Sequence, residues 1–229
     1  TKVDAALDAL YLGLSRNKKK CDKMQAVGGC LALVQLLNKF LDKSIAIIPA
    51  CDQVTELNEL AELTTLYKTL AVIVRLSFQH EKKKFGITAV GGVEAVVKVM
   101  ETFPKCEDLQ ESACDLLANL VSCKIGTAKA IESGGIEVLL AAINNHLDSE
   151  LVCENACWAL VNLMRGRKAN TDRLIILDGD AAVEKVRIKW PDNKDVQTQV
   201  ERLACIFGAA YRYRARNRRK RRLGLIGSK

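Results

Sequence analysis

The segment that decides the fold reads KAIESGGIEVLL at residues 129–140 and LVCENACWALVNL at residues 151–163. A first helix is expected to end at Gly134-Gly135, because glycine adopts the left-handed conformation of a helix end at little cost. Apolar residues at spacings of three and four predict a second helix from Ile136 to about Asn145 and a third from Leu151 to Met164. One unit of this chain is therefore expected to contain three helices.

The same unit recurs along the chain. The glycine pair has counterparts at Gly91-Gly92 and Gly28-Gly29, and Asp178-Gly179-Asp180 is a degraded fourth copy. Gly92 and Gly135 are 43 residues apart, whereas Gly29 and Gly92 are 63 apart, which is one period plus about twenty inserted residues. A period in the low forties with three helices per unit is typical of a helical solenoid.

The repeat alignment divides the chain into a solenoid at residues 1–211 and a tail at residues 212–229. The solenoid begins with a partial unit at residues 1–15, which is a third helix alone. Complete units follow at about 21–78, 85–122, 128–164 and 172–211. The first of these carries an insertion at residues 42–63, and Val54 to Phe78 is predicted to be one lengthened third helix. The insertion is interpreted either as a local cap over one edge or as a docking protrusion.

Composition agrees with a helical repeat array. The chain is 49% hydrophobic, 5% aromatic and contains three prolines, which favours an ordered fold over disorder. No run of about twenty uncharged apolar residues is present, so no transmembrane helix is expected. Nine cysteines without paired spacing indicate reduced thiols, and we expect an intracellular protein of the cytoplasm, the nucleus or both.

The sequence offers no enzyme chemistry. Its two histidines do not align beside a nucleophile, and the glycine pairs lack the context of a phosphate-binding loop. Cys153 and Cys157, one turn apart, lie near His146, but no CxxC motif or histidine cluster completes a zinc site. We therefore expect no catalytic residues, no metal and no cofactor.

A resemblance to a known family follows from these residues. The Trp158-Ala159-Leu160-Val161-Asn162 segment resembles the Trp-Ala-Leu-x-Asn segment in third helices of importin-alpha, and the whole unit resembles the armadillo repeat of importin-alpha and beta-catenin type proteins. The resemblance implies an all-α, right-handed superhelix of about four repeats after a partial first one. It also implies a non-enzymatic scaffold whose third helices line a concave groove, where Asn holds the backbone of an extended peptide and Trp holds its side chains.

The candidate groove residues follow from helical spacing as well as from the resemblance. Asn155, Trp158 and Asn162 are predicted to share one exposed stripe beside the buried face of their helix. That face is predicted to consist of Cys153, Ala156, Cys157, Leu160, Leu163 and Met164. With the aligned residues of earlier third helices, the candidate set is Arg75, Asp115, Asn119, Asn155, Trp158 and Asn162. An Asn amide can donate to and accept from a peptide backbone. Packing for Trp158 and solvated surface for Asn119 and Asn162 remain alternative interpretations.

The predicted groove is incomplete. Gly13, Arg75 and Cys205 occupy positions where an unbroken ladder would carry Asn, and Trp158 is the single Trp of the stripe. A classical receptor for nuclear localisation signals is therefore not expected. The predicted partner is a protein or an extended peptide.

Three basic clusters are placed by the alignment in loops that follow third helices. Stacking would align them along one basic edge, which could meet an acidic protein, nucleic acid or anionic lipid. Alternatively, they offset the exposed carbonyls of helix C-termini. The clusters consist of Lys18, Lys19 and Lys20; Lys82, Lys83 and Lys84; and Arg165, Arg167 and Lys168.

The tail carries the net charge of +8. It contains nine Lys or Arg and no acid, whereas residues 1–211 contain 26 basic and 27 acidic residues. We interpret it as a nuclear localisation signal read by an import receptor, as an arm for nucleic acid, or as a solvated terminus. With the basic edge, it supports the alternative function of a nucleic-acid or ribonucleoprotein-associated module. Its candidate residues are Arg212, Arg214, Arg216, Arg218, Arg219, Lys220, Arg221 and Arg222.

The N-terminal helix is predicted to lack a partner. A solenoid unit buries its apolar face against its neighbours, and the segment Val3–Leu14 has no unit before it in this chain. Leu7, Leu10 and Leu14 are expected to need cover. We therefore predict further repeats upstream or self-association at this end.

Overall fold

The computed structural model describes residues 2–14, 17–47, 61–78 and 81–222. Within these ranges the regular structure consists of thirteen α-helices and contains no strand. In chain order they are α1 (Lys2–Leu14), α2 (Lys18–Ala26), α3 (Gly29–Ile47), α4 (Ala61–Ser77), α5 (Glu81–Ala89), α6 (Gly92–Thr102), α7 (Glu107–Leu120), α8 (Lys124–Glu132), α9 (Gly135–Asn145), α10 (Glu150–Met164), α11 (Lys168–Ile176), α12 (Gly179–Lys189) and α13 (Lys194–Arg222).

The helices stack as repeated three-helix units. The third helices α1, α4, α7, α10 and α13 pack side by side in that order, and the second helices α3, α6, α9 and α12 form the layer behind them. Each first helix packs against the second helix of its own unit. The predicted all-α solenoid is confirmed, and the side formed by the third helices is called the third-helix face below.

The two glycines of each pair serve different purposes. Gly134 has a φ of 81°, a left-handed conformation that strains other residues. At Gly135 an added Cβ would lie 2.7 Å from the Ala130 carbonyl oxygen, so the close approach of α8 and α9 excludes a side chain there. In the degraded copy, Asp178 takes the left-handed conformation with a φ of 56°. The bend is thus kept even where the first glycine is lost.

The period predicted from the sequence recurs in the bonds between units. Trp190 donates from Nε1 to the Leu147 carbonyl oxygen over 3.0 Å, across 43 residues. Across the unit that carries the insertion the separation rises, and the Thr65 hydroxyl bonds a carboxylate oxygen of Asp4 at 2.6 Å across 61 residues. The third helices on the two sides of the insertion therefore still contact each other directly.

The predicted buried face of the central third helix is confirmed. All of its members are buried, and burial raises the pKa of the Cys114 and Cys157 thiols well above its ordinary value. These two cysteines are therefore packing residues at equivalent positions of α7 and α10. The face consists of Cys153, Ala156, Cys157, Leu160, Leu163 and Met164.

The structure corrects the start of the insertion. Residues from Asp42 to Ile47 continue α3 as helix, because no Gly or Pro interrupts them and the buried positions Leu37, Leu41 and Ser44 keep helical spacing. At the other end, α4 begins at Ala61. Residues 48–60 lie outside the described residues. The predicted lengthening of the third helix, which would begin at Val54, falls within them and stays a prediction.

The structure also corrects the N-terminal helix. Leu7 and Leu14 are buried within the chain, because α1 packs on α4 as one third helix packs on the next. The large apolar side chains that α1 leaves exposed are Val3, Leu10 and Leu12. Self-association or further repeats at this end stay predictions.

The last helix is much longer than the other third helices. α13 runs without a break over 29 residues from Lys194 to Arg222, so the backbone of the tail is helical up to that residue. Residues 223–229 lie outside the described part. Among the described helices, none alone is long and apolar enough to cross a membrane; only the pair Lys19–Ala26 and Gly29–Ile45, bent by 75°, satisfies length and composition together.

Candidate binding face

The predicted stripe on α10 is less exposed than its spacing indicates. Trp158 and Asn155 are half-buried, and Trp158 packs against the core. Asn162 is only 6% exposed, and its Nδ2 donates to the Ala118 carbonyl oxygen of α7 over 3.2 Å. The predicted exposure is therefore wrong for Asn162, whose amide joins two third helices.

Asn119 on α7 is corrected in the same way. It is 2% exposed, and its Nδ2 donates to the backbone oxygen of Asp115 over 3.1 Å and to Oδ1 of the same residue over 2.9 Å. Both Asn residues lie in the last turn of a third helix and are buried there. Their Nδ2 donors, expected to face a peptide backbone, are engaged within the protein.

Two other predicted residues meet in a cleft at the N-terminal half of the third-helix face. This aromatic cleft, with a volume of about 290 Å³, lies across α1, α4 and α7 and includes Arg75 and Asp115. Arg75 lies on α4 and Asp115 on α7, so the two residues come from neighbouring third helices, as in the predicted groove. The cleft is lined by Tyr11, Tyr67, Ala71, Val74, Arg75, Phe78, Glu111, Ser112 and Asp115.

Arg75 occupies one end of the aromatic cleft. Its Nη2 donates to the Tyr11 hydroxyl oxygen over 2.6 Å, and its guanidinium carbon lies over the Tyr11 ring, 4.5 Å from the ring centre. A guanidinium on a tyrosine face is stabilised by the ring quadrupole. Its positive charge also offsets a part of the rise that burial causes in the pKa of Asp115. The cleft thus already holds one arginine side chain on an aromatic ring.

The carboxylates of the cleft are crowded and poorly hydrated. Burial raises the pKa of Asp115 to about 6, against the smaller lowering effects of the Asn119 hydrogen bond and of Arg75. Burial also raises the pKa of Glu111, and the nearby Asp108 carboxylate adds to the effect. The pKa of Tyr67 is raised first by burial and then by Glu111. A cation entering the cleft would relieve this repulsion.

The acidic character continues along the face. Burial raises the pKa of Glu154 on α10, and repulsion from Asp195 on α13 adds to it. Among the described residues, neither Glu111 nor Glu154 has a Lys or Arg within ion-pair distance. Glu111, Asp115, Glu154 and Asp195 therefore form an acidic row over three neighbouring third helices.

Several residues of this face lie outside the predicted stripe. Tyr67, Glu111 and Glu154 are aligned at the repeat spacing, one position before the stripe, so the repeat alignment contains a signal for them. Helical spacing alone puts Tyr11 on the apolar face of α1, although at the end of the stack it contacts Arg75. Phe78, the predicted end of its helix, has an exposed ring that lines the aromatic cleft.

The basic edge predicted from the sequence is not continuous. Lys83 is 1% exposed, with its Nζ 3.0 Å from an Asp22 oxygen, and Lys84 is 8% exposed and donates to the Ser122 hydroxyl oxygen over 3.0 Å. Lys83 and Lys84 are buried because α5 begins at Glu81, so both residues belong to a packed helix rather than to a loop. Lys168, which begins α11, pairs with Asp172.

The buried Asp115 predicts a specific pH dependence. Its pKa is about 6 in the folded chain against an ordinary 3.8, so the folded state holds a proton that the unfolded state releases between those values. Stability should fall as the pH rises through this window. Asp115→Asn should therefore raise the free energy of unfolding by about 2 kcal/mol at pH 8 and hardly change it at pH 3.5. Urea denaturation at both pH values measures this.

The matched control for this prediction is Glu132→Gln, which removes an exposed carboxylate from α8. It should change stability equally little at both pH values. If Asp115→Asn lowered stability at pH 8, attraction by Arg75 would outweigh burial, and the interpretation would be wrong.

Known proteins share both the repeat and its stacking. Residues 126–165 match the family model described as Armadillo/beta-catenin-like repeat. Protein aardvark of Dictyostelium discoideum is 29% identical over 112 residues, which are 44% of this chain and 15% of aardvark. The chain therefore corresponds to a small part of that relative.

Solved structures show the same architecture at low identity. A crystal structure of an engineered protein has a TM-score of 0.69 and 20% identity, over 89% of this chain and 43% of its own. A designed armadillo repeat protein in complex with the peptide (KR)4 has a TM-score of 0.59 and 19% identity, over 89% of this chain and 92% of its own. These similarities establish the solenoid fold.

Proposed function

Because the chain folds as an armadillo-like α-solenoid, we propose that it is a non-enzymatic protein-binding scaffold whose third-helix face holds an extended, positively charged segment of its partner. The observation that carries this proposal is the aromatic cleft, where Tyr67, Glu111 and Asp115 come together from two third helices. Arg75 supports it from within, because its guanidinium already rests on a tyrosine ring and is close enough to attract the Asp115 carboxylate electrostatically. An incoming Lys or Arg would find the same chemistry.

Two further points support this proposal. The acidic row extends the negative charge from α7 to α13, so an extended segment could meet one carboxylate after another. The designed armadillo repeat protein in complex with (KR)4 has the same overall fold, which makes a peptide of Lys and Arg a suitable first probe. Trp158, half-buried beside the row, offers an aromatic surface for the stems of long basic side chains.

The proposal predicts that Glu111→Gln together with Glu154→Gln weakens binding of a labelled (Lys-Arg)4 peptide by about tenfold, since each lost charge pair contributes roughly 0.5–1 kcal/mol. Fluorescence anisotropy measures the affinity. Burial and repulsion raise the pKa of both carboxylates, so their removal should not lower stability.

The control is Glu101→Gln with Glu132→Gln, which makes the same charge change at exposed positions of α6 and α8. Equal weakening by both pairs would indicate a diffuse attraction and contradict a site on the third-helix face. Asn162→Ala is a poor probe of binding, because it also leaves the Ala118 carbonyl oxygen without its donor.

The alternative function, a nucleic-acid or ribonucleoprotein-associated module, loses part of its basis. Burial of Lys83 and Lys84 interrupts the basic edge on which a polyanion would lie. The helical tail remains a candidate binding arm or nuclear localisation signal. Deleting residues from Arg212 onward and measuring affinity for RNA, DNA and import receptors tests these roles.

A further inference from the structure

A second cleft lies at the corner where α7 turns into α8 and α10 turns into α11. This corner cleft has a volume of about 330 Å³ and opens beside the C-terminal end of the third-helix face. Three of its lining residues are basic and none is acidic. It is lined by Val121, Ser122, Cys123, Lys124, Thr127, Asn162, Arg165, Gly166 and Arg167.

The basic side chains of the corner cleft form no ion pair with a carboxylate of the described residues. Lys124, Arg165 and Arg167 have no carboxylate within 4 Å there. The wall of the cleft is held from behind, since the buried Lys84 donates from Nζ to the Ser122 hydroxyl oxygen over 3.0 Å. The Ser122 hydroxyl in turn donates to the Asn119 carbonyl oxygen over 2.7 Å. The cleft is thus a concentrated, rigidly backed positive site.

Two of these basic residues stand at helix N-termini, where the helix dipole disfavours positive charge. Lys124 is the first residue of α8 and Arg167 caps the start of α11, and neither helix has an acid in its first turn. A base at a helix N-terminus is unfavourable by the same few tenths of a kcal/mol that an acid there is favourable. At α8 the Cys123 sulfur already accepts from the Gly126 amide over 3.3 Å, whereas the N-cap residue of α11 makes no side-chain cap bond. Bound anionic oxygens would satisfy the side chains and the N-terminus of α11 together.

From this arrangement we infer that the corner cleft binds a phosphate monoester carried by a side chain of the partner segment. The inference rests on the proposed function, because it takes the occupant to be the chain lying on the third-helix face. Asn162 connects the two sites: it lines the corner cleft and lies one helical turn from Trp158. A segment passing Trp158 can therefore direct one side chain into the cleft.

The chemistry favours a single dianion over a nucleic-acid backbone. Arg forms paired hydrogen bonds to phosphate oxygens, and the two arginines here stand two residues apart. A nucleic-acid strand would need accessible Lys or Arg side chains at successive corners of the solenoid. At the preceding corner, however, Lys83 and Lys84 are buried. One half-open cleft, whose three basic side chains have no carboxylate within 4 Å among the described residues, matches one phosphate group.

The first experiment uses inorganic phosphate and the intact chain. At constant ionic strength, a phosphate titration followed by amide NMR should give saturating shifts at Lys124, Ile125 and Gly166. Arg165→Gln with Arg167→Gln should abolish these shifts. Lys105→Gln with Lys185→Gln removes the same charge at exposed positions elsewhere and should leave them unchanged. Absent shifts, or weak shifts spread over all basic residues, would overturn the inference.

The second experiment identifies the occupant. A labelled (Lys-Arg)4 peptide carrying phosphoserine at one end or the other is compared with its serine counterpart. At one of the two ends phosphorylation should tighten binding about tenfold, as expected for one or two charge-assisted hydrogen bonds. The Arg165→Gln and Arg167→Gln pair should remove that gain and change the affinity for the serine peptide by less than about twofold.

The two failures are distinguishable. If the serine peptide does not bind, the proposed function is contradicted, whereas phosphate that fails to shift the corner amides contradicts this inference. Phosphorylation without gain at either end also overturns it. The inference is also overturned if an unmodified RNA oligonucleotide displaces inorganic phosphate from the corner cleft as effectively as a phosphate monoester.

Discussion

Replacing Gly126 by Ala should lower the free energy of unfolding by about 3 kcal/mol, at the upper end of what overpacking costs. A Cβ at this position would lie 2.0 Å from the carbonyl oxygen of Leu120 and 2.8 Å from its carbonyl carbon. These atoms belong to the backbone, so no side-chain rotation can make room. Helix α8 would have to move away from the end of α7. The two are held together by the Thr127 hydroxyl, which donates to the Val121 carbonyl oxygen over 2.8 Å.

The matched control is Gly13→Ala. In α1 an added Cβ would meet only Lys20 Nζ at 3.9 Å, and alanine favours helix by about 0.5–1 kcal/mol over glycine. Urea denaturation followed by circular dichroism should therefore show opposite signs for the two substitutions. A small effect at Gly126 would mean that the corner yields, and that the close approach is not required for stability.

The second large effect is expected at the ion pair between α2 and α5. Asp22→Asn should lower the free energy of unfolding by about 3 kcal/mol, because it removes the counter-charge from an ammonium that is almost fully buried. Lys83→Met should be much milder, since it replaces the charged group by an apolar one of similar length. Chemical denaturation of both single variants measures the difference.

The double variant completes this test. Asp22→Asn combined with Lys83→Met should recover stability to within about 1 kcal/mol of the unchanged chain, because no unpaired charge is then buried. If the two losses simply added, the carboxylate and the ammonium would act independently. The ion pair would then have no part in joining α2 to α5.

The fold was predictable because the decisive residues act locally. A glycine pair marks each bend by its own conformation and by the close approach of its own two helices, so four copies revealed the period without any knowledge of contacts. The buried face of α10 followed from helical spacing alone. The end of α3 was missed because Asp42 and Lys43 resemble a loop by composition, although Leu41 and Ser44 still face the core.

The candidate site was only partly predictable, since exposure depends on neighbours that spacing does not reveal. Helical periodicity placed Asn119 and Asn162 beside the buried face, but both are buried: Asn162 bonds the adjacent third helix and Asn119 bonds Asp115 of its own helix. Lys83 looked like loop surface because a buried ammonium needs a carboxylate from another unit, and Asp22 lies 61 positions earlier in the chain. Arg75 and Tyr11 meet across 64 residues, a register that the insertion concealed.

The regular spacing of the bonds between units also bears on how this chain folds. His146, Trp190 and Asn162 each bond a partner 42–44 residues earlier. Contacts among these units therefore close loops of similar, moderate length, whereas contacts across the insertion close longer loops of 61–64 residues. Low contact order of this kind favours rapid folding, and a linear array can nucleate at any unit and grow. The unit formed by α8, α9 and α10 has neighbours on both sides and is expected to nucleate. Order would then spread outward in both directions, with α1 and the end of α13 docking last.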